Sequence, residues 1–193
     1  MLVNIVPPAP RLEPPVAAPL DHPFSVSTAV LPKALRDLLG RQNPAITCLD
    51  VRSAGALGQR DLPQILGVAS EEVTRTVLLV GGSGAVGYRA VVMSATEALP
   101  HAQVARLFDA HVVRVASAGE VDAHMLGGRQ NRSPLTADVP VVVTASIASS
   151  RVLAVPTGLA GVYLVMRPTA FIELVAGQVL TAVEPTGAPR WAS

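Results

Sequence analysis

The chain has 193 residues, a formal net charge of +1 and 50% hydrophobic residues, enough for one domain with a well-filled core. Charged residues make up only 15% of the chain and aromatic residues 3%, so we expect neither a basic surface for nucleic acid nor a stacking platform for single strands. The single cysteine, Cys48, excludes an internal disulfide and is typical of a small buried side chain in a reducing compartment.

The first 23 residues carry seven of the 17 prolines and predict an extended arm, followed by a single domain over residues 24–193. The N-terminus lacks the basic start of a signal peptide, and the longest weakly charged run is interrupted by proline and glycine. That run is also shorter than the roughly 20 residues of a membrane span. We therefore expect a cytoplasmic protein with no membrane partner.

The domain is predicted to begin with a helix and a strand. Thr28 is placed to cap a helix over residues 30–39, with Pro32 in its first turn and Gly40 just past its end. The following AITCLDV segment has the composition of a short strand.

A glycine-rich turn at residues 81–87 separates two apolar, β-branched runs, which is the signal of an antiparallel hairpin over residues 73–80 and 87–93. Side-chain alternation then places Arg89 on an apolar face of its strand and Arg75 on an apolar face of the other. A guanidinium in such a place is well shaped to bind a carboxylate, although an edge position or a structural ion pair explains the pattern more simply.

The same turn has an alternative interpretation. Gly82, Gly84 and Gly87 match the G-x-G-x-x-G fingerprint of an NAD(P)-binding α/β protein, which requires a helix over residues 88–99. The chain beyond Asp138 argues against it, because strands without alternating helices do not build a covered parallel sheet.

The rest of the chain predicts a short amphipathic helix after Pro100, a strand over residues 112–116 and a helical turn over 120–126. Five runs beyond Asp138 are typical of short antiparallel strands, namely VPVVVTASI, RVLAV, GVYLVM, AFIELV and QVLTAVE. The predicted fold class is therefore α+β, an antiparallel sheet with two or three helices packed on one side. The four histidines lack the spacing of metal ligands, so no metal site is expected.

Three segments carry a resemblance to a known family: STAVLPKALRDLLG with PAITCLDV, then LGVASEEVTRTVLLVGGSGAVGYRAVVM, and finally AGQVLTAVE. Their order and spacing resemble the chorismate pyruvate-lyase family, whose fold is shared with the ligand-sensing domains of some bacterial transcription regulators.

The resemblance implies a lyase that removes pyruvate from chorismate, leaving 4-hydroxybenzoate or a related aromatic acid, without metal or cofactor. It implies that Arg89 binds a substrate carboxylate and that Glu184 serves the elimination. It also implies a backbone amide contact to the ligand at Val112 or Val113, and we add Arg75 as a further residue for binding the carboxylate.

Three hypotheses follow from the sequence. The favoured one is this lyase, acting on a small-molecule carboxylate with no nucleic-acid partner and no cofactor. The second is a non-catalytic small-molecule binding domain of the same fold, and the third is the NAD(P)-binding protein.

Overall fold

The structure is a computed structural model that describes residues 22–42, 46–52, 62–82, 87–99, 101–108, 113–127 and 132–180. In chain order its strands are β1 (Ile46–Asp50), β2 (Thr74–Gly81), β3 (Gly87–Ser94), β4 (Val113–Val115), β5 (Val141–Thr144), β6 (Leu153–Pro156), β7 (Val162–Met166) and β8 (Gln178–Leu180). Its helices are α1 (Lys33–Gln42), α2 (Leu62–Leu66), α3 (His101–Leu107), α4 (Ala118–His124), α5 (Ala145–Ala148) and α6 (Pro168–Leu174).

The strands form two sheets. The smaller sheet is antiparallel, in the order β1-β7-β6, and all five residues of its central strand β7 are buried. The larger sheet has the order β4-β2-β3-β5-β8. In it, β2 pairs antiparallel with β3 and β4, whereas β5 pairs parallel with β3 and β8.

Side-chain alternation divides each central strand between two cores. On β2, Leu78 and Val80 belong to the main core, which lies between the inner faces of the two sheets and also takes in side chains of α1 and α6. Leu79, between them, belongs to a smaller core on the outer face of the larger sheet, where Val104 of α3 covers it. The outer face of the smaller sheet packs against Leu66 of α2. Both sheets are therefore covered on both faces.

The two sheets are joined where β2 begins. Val73 forms an isolated bridge to Ala154 of β6, and the Thr74 hydroxyl donates a hydrogen bond to the Ala154 carbonyl at 3.1 Å. Thr74 is buried, so this bond satisfies a polar group inside the protein.

The hairpin prediction is confirmed, and it excludes the dinucleotide interpretation. β2 and β3 pair in unbroken register from Thr74 opposite Ser94 to Gly81 opposite Gly87. The segment that the NAD(P) hypothesis needed as a helix begins instead as strand β3. Gly84 lies outside the described residues, while Gly82 follows the end of β2.

The predicted first helix exists with shifted ends. A 3-10 turn over Thr28–Val30, capped by the Ser27 side chain, precedes α1, and α1 continues through Gly40. Leu31, Leu35 and Leu39 are buried at a spacing of four, so one side of this segment packs into the core. The helix after Pro100 and the short helix near Glu120 are also present, as α3 and α4.

Two of the segments predicted as strands contain helices. All but the last residue of AFIELV lies in α6, which has Pro168 in its first turn and buries Pro168, Phe171 and Leu174 on one face. VPVVVTASI divides between β5 and the short helix α5. Apolar runs of this length fit a buried helix turn as well as a strand, so periodicity alone does not separate them. No helix among the described residues is long and apolar enough to cross a membrane.

The α+β fold class is confirmed, although the arrangement differs from one antiparallel sheet with helices on one side. There are two sheets, the larger is mixed, and helices cover more than one face. Strand composition does not reveal which strands pair in parallel, because that depends on long crossover connections. The division into an arm over residues 1–23 and a domain over 24–193 stays a prediction, since residues 1–21 lie outside the described ones.

A pair of glycine substitutions tests the packing at the end of the hairpin. A Cβ at Gly81 would lie 2.8 Å from Cγ of Phe108, whereas one at Gly40 in α1 would meet nothing within 4 Å. We expect Gly81→Ala to lower the free energy of unfolding by about 1–3 kcal/mol through overpacking. Gly40→Ala should raise it by about 0.5–1 kcal/mol, because alanine favours the helix. Urea unfolding measures both, and a Gly81→Ala protein as stable as the wild type would contradict the packing described.

Candidate functional site

The ends of three strands meet at one edge of the larger sheet. β2 runs antiparallel to β3, so its first residues lie beside the last residues of β3, with Arg75 opposite Met93. β5 runs parallel to β3, with Val143 opposite Val92, so Thr144 also lies at this edge. The topology thus brings together residues that are far apart in the sequence.

Three side-chain oxygens form a close group at this edge. The Ser146 hydroxyl donates to Oε2 of Glu97 at 2.6 Å, and the Thr144 hydroxyl lies 3.1 Å from the same oxygen. The two hydroxyl oxygens are 2.9 Å apart. We call Glu97, Thr144 and Ser146 the oxygen triangle.

The oxygen triangle has fewer protons than contacts. An ionised carboxylate carries none and each hydroxyl carries one, so two protons serve three oxygen–oxygen contacts. One contact is therefore always without a hydrogen bond. Oε1 of Glu97 accepts no hydrogen bond from the described residues, which leaves further acceptor capacity. The triangle is an acceptor-rich group that fits an added donor.

Arg75 lies next to this group. Its Nη2 donates to the backbone carbonyl of Glu97 at 2.6 Å, and its side chain is exposed. Among the residues that the structure describes, no carboxylate forms an ion pair with Arg75. A guanidinium has five N–H donors in a fixed fork, so most of them remain available for an anion or a polarised carbonyl.

The other predicted site residues are placed apart from Arg75. Arg89 lies opposite Leu79, four residues and about 14 Å along the strand from Arg75. Its Nε donates to the Leu107 carbonyl at 3.2 Å, and its guanidinium carbon lies 5.6 Å from the centre of the Phe108 ring. Arg89 therefore ties α3 to the sheet.

Val113 is the half-buried first residue of β4, and Val112 and Glu184 lie outside the described residues. A site role for these residues and for Arg89 stays a prediction.

A second polar group has a structural explanation. Arg114 donates to both carboxylate oxygens of Glu120, at 2.8 and 2.6 Å, and so joins β4 to α4. Glu120 also forms a capping box with Ser117 and accepts from the Tyr88 hydroxyl. The Arg114 hydrogen bonds, followed by those from Ser117, lower the pKa of Glu120 far below its usual range.

Two further side chains with possible chemistry do not build a site. His124 is hydrogen-bonded through Nδ1 to Asp138 at 2.8 Å and packs against the Tyr88 ring, 4.4 Å between centroids. Burial first, and the charge of Asp50 second, raise the pKa of the Cys48 thiol to about 11, so the thiol stays protonated near neutral pH. The described residues contain no group of three or more histidine, cysteine, aspartate or glutamate side chains that could hold a metal ion.

One cavity lies on the outer face of the larger sheet, beside Leu79 and Val104. It has a volume of about 190 Å³ and lies between α3 and the edge formed by β2 and β4. It is lined by Leu79, Leu99, Val104, Ala105, Val113, Arg114 and Val115. Leu99 belongs to the segment after β3 that also carries Glu97, so the cavity and the triangle share one stretch of chain.

Comparison with known proteins identifies the family of this chain. A family profile described as the aminoacyl-tRNA editing domain matches residues 56–174, well over half of the chain. The chain belongs to the aminoacyl-tRNA editing domain family. The editing-domain match includes Arg75 and the whole oxygen triangle. A comparison with curated proteins finds no significant match.

Solved structures share the fold of this editing domain. A proposed trans-editing enzyme for prolyl tRNA synthetase has a TM-score of 0.65 and 14% sequence identity, over 80% of this chain and 99% of that one. The hypothetical protein APE2540 has a TM-score of 0.65 and 19% identity, over 76% of this chain and 97% of that one. At such identities the likeness establishes the fold alone.

These findings correct the family assigned from the sequence. Membership of the chorismate pyruvate-lyase family is wrong, because the profile of a different family matches residues 56–174, which include the second of the three segments that carried the resemblance. The lyase function is wrong for the same reason, and the small-molecule binding alternative is not favoured. The strand–turn–strand pattern of alternating apolar residues recurs in many α+β folds and does not identify one family.

The predicted partners are corrected as well. The family's substrates are amino acids joined to tRNA, so the expectation of a small carboxylate without nucleic acid is wrong. That expectation relied on the net charge of +1, which does not show where the 15 basic residues lie. Glu97, Thr144 and Ser146 were missed altogether, since they come together only through the sheet.

The lowered pKa of Glu120 predicts how α4 responds to acid. The carboxylate stabilises the folded protein above the unfolded pKa of about 4.3, and this contribution is lost as the pH falls towards the lower folded pKa. Glu120→Gln should therefore lower the urea midpoint at pH 7 and have a smaller effect near pH 3. Glu173→Gln, at an exposed position on α6, is the matched control and should change neither value. An equal deficit at both pH values would contradict this account.

Proposed function

We propose that this protein hydrolyses the ester bond between an amino acid and the terminal ribose of tRNA. The observation that carries the proposal is the editing-domain match over residues 56–174, which contains the exposed Arg75 and the oxygen triangle beside it. The similar fold of a proposed trans-editing enzyme for prolyl tRNA synthetase makes tRNA of proline the first substrate to test.

The reaction needs little covalent chemistry from the protein. Water adds to the ester carbonyl and gives a proton to the solvent, the carbonyl oxygen becomes negatively charged, and the carbon–oxygen bond to the ribose then breaks. The ribose oxygen takes up a proton and the free amino acid leaves. Because the α-ammonium group withdraws electrons and makes such esters labile, orientation and electrostatic stabilisation supply most of what is required.

Arg75 is the residue we assign to the developing negative charge. It is a permanent cation, it has no ion-pair partner among the described residues, and its hydrogen bond to the Glu97 carbonyl fixes it beside the triangle. A fixed guanidinium that faces the ester carbonyl stabilises the oxyanion without having to reorient during the reaction.

The substrate also bears on where the protein works. Charged tRNA is present where translation occurs, so we propose that the protein acts in the cytoplasm. The predicted domain over residues 24–193 contains the whole matched region, and we propose that it is the editing unit.

Deacylation assays test this function directly. Purified protein is incubated with tRNA of proline charged with each of a panel of other amino acids, and the loss of labelled amino acid from the tRNA is followed. For at least one amino acid we expect hydrolysis well above the spontaneous rate. No acceleration for any member of the panel, or for other aminoacyl-tRNAs, would contradict the proposal.

Substitution of Arg75 tests its assigned role. We expect Arg75→Met to lower kcat/KM about 10²-fold, as the loss of an oxyanion donor does, and Arg75→Lys to retain part of the activity because it keeps the charge. Arg36→Met is the matched control, because Arg36 is exposed on α1, the helix that packs against the main core. This variant should be as active as the wild type. Full activity in Arg75→Met would refute the role.

A further inference from the structure

We propose that the oxygen triangle of Glu97, Thr144 and Ser146 binds the α-ammonium group of the aminoacyl ester, so that only esters with a free amino group are substrates. The inference rests on the proposed function and names the chemical group by which that site recognises its substrate.

The hydrogen-bond inventory of the triangle matches an ammonium group. The three oxygens lie 2.6, 2.9 and 3.1 Å apart and share two protons, so the group is short of donors. An ammonium group supplies three donors and accepts nothing. Placed against the triangle, it would donate to the carboxylate and to lone pairs of both hydroxyl oxygens.

The charge of the triangle also fits. Glu97 carries a negative charge with no ion-pair partner among the residues the structure describes, since Arg75 binds its backbone carbonyl and not its carboxylate. Charge-assisted hydrogen bonds between an ammonium and a carboxylate are about twice as strong as neutral ones. An anion so close to a guanidinium and yet unpaired is available to a ligand cation.

One residue of the triangle is buried and held in place, and another is open to solvent. Thr144 is only 3% exposed and is held by β5, so its hydroxyl has little freedom to move. Glu97 is half-buried and Ser146 is exposed, so a ligand from solvent can reach the group. Preorganised acceptors with solvent access are what recognition of a small cationic group requires.

The position of Arg75 completes the geometry. In an aminoacyl ester, the ammonium nitrogen and the carbonyl carbon are bonded to the same α-carbon. Glu97 brings the two matching groups together. Its side chain belongs to the acceptor group for the nitrogen, and its backbone carbonyl accepts a hydrogen bond from the guanidinium of Arg75. Holding the ammonium at the triangle would therefore direct the carbonyl towards Arg75.

This arrangement predicts which esters are rejected. An N-acylated amino acid, such as the one at the end of peptidyl-tRNA, has no positive charge and only one N–H donor on that nitrogen. Bound in the same way, it would leave the Glu97 carboxylate without its partner. Sites built to bind a polar group discriminate strongly against analogues that lack it.

Binding of a stable analogue tests the inference without any need for catalysis. The probes are 3′-alanylamino-3′-deoxyadenosine and its N-acetyl derivative, in which an amide replaces the labile ester, measured by calorimetry. We expect the free-amine probe to bind at least about tenfold more tightly, as hydrogen bonds to charged groups imply. Equal affinities, or no measurable binding of the free-amine probe, would overturn the inference.

Variants locate the preference at the triangle. Glu97→Gln keeps the shape and removes the charge, and should abolish the preference for the free amine. Ser146→Ala, at an exposed position where folding is not at risk, should reduce it. Glu173→Gln on α6 is the matched control and should keep the full preference. Thermal unfolding confirms that each protein is folded, and an unchanged preference in both triangle variants overturns the assignment.

Hydrolysis of paired esters separates this inference from the proposed function. If tRNA esters with free and acetylated amino groups are cleaved at equal rates, the function stands and the inference fails. If neither ester is cleaved while the binding preference depends on Glu97, the inference stands and the hydrolytic function fails. Cleavage of the free-amine ester alone, lost in Glu97→Gln, supports both.

Discussion

The parallel pairing of β3 with β5 is the constraint on which the candidate site depends. Ala90, Val91 and Val92 lie opposite the three valines of β5, so both strands end at the same edge of the sheet. An antiparallel β5 would carry Thr144 and Ser146 to the opposite edge, away from Glu97. The same valines alternate between the two cores, and burying each contributes about 1.5–3 kcal/mol. Residues that stabilise the sheet thus also fix the register that builds the site.

Features set by neighbouring residues could be predicted from the sequence. The hairpin follows from two β-branched runs around a glycine-rich turn, and α1 follows from leucines spaced four apart. α6 could not be separated from a strand, because AFIELV is apolar enough for either and only Pro168 marks the start of a helix. The parallel pair of β3 with β5 depends on a connection that contains α3, β4 and α4, and no local pattern encodes it. The parallel pair of β5 with β8 depends in the same way on a connection through α5, β6, β7 and α6.

Sequence patterns could predict almost none of the residues of the candidate site. Glu97 meets Thr144 and Ser146 across 47 and 49 residues, and Arg75 reaches Glu97 across 22. Only Arg75 carried a local signal, a cation among apolar neighbours on one strand face. The expected absence of nucleic acid failed for a related reason: a net charge of +1 sums the whole surface, whereas holding one end of a tRNA needs only a few well-placed cations.

A double-mutant cycle on deacylation tests most directly whether the edge formed by β3 and β5 works as one unit. It compares kcat/KM for the wild type, Glu97→Gln, Ser146→Ala and the double variant, all on the same free-amine aminoacyl-tRNA. Because both side chains would act on one ammonium group, the double variant should lose little more activity than Glu97→Gln alone. Losses that multiply independently, or wild-type activity in Glu97→Gln, would contradict the account.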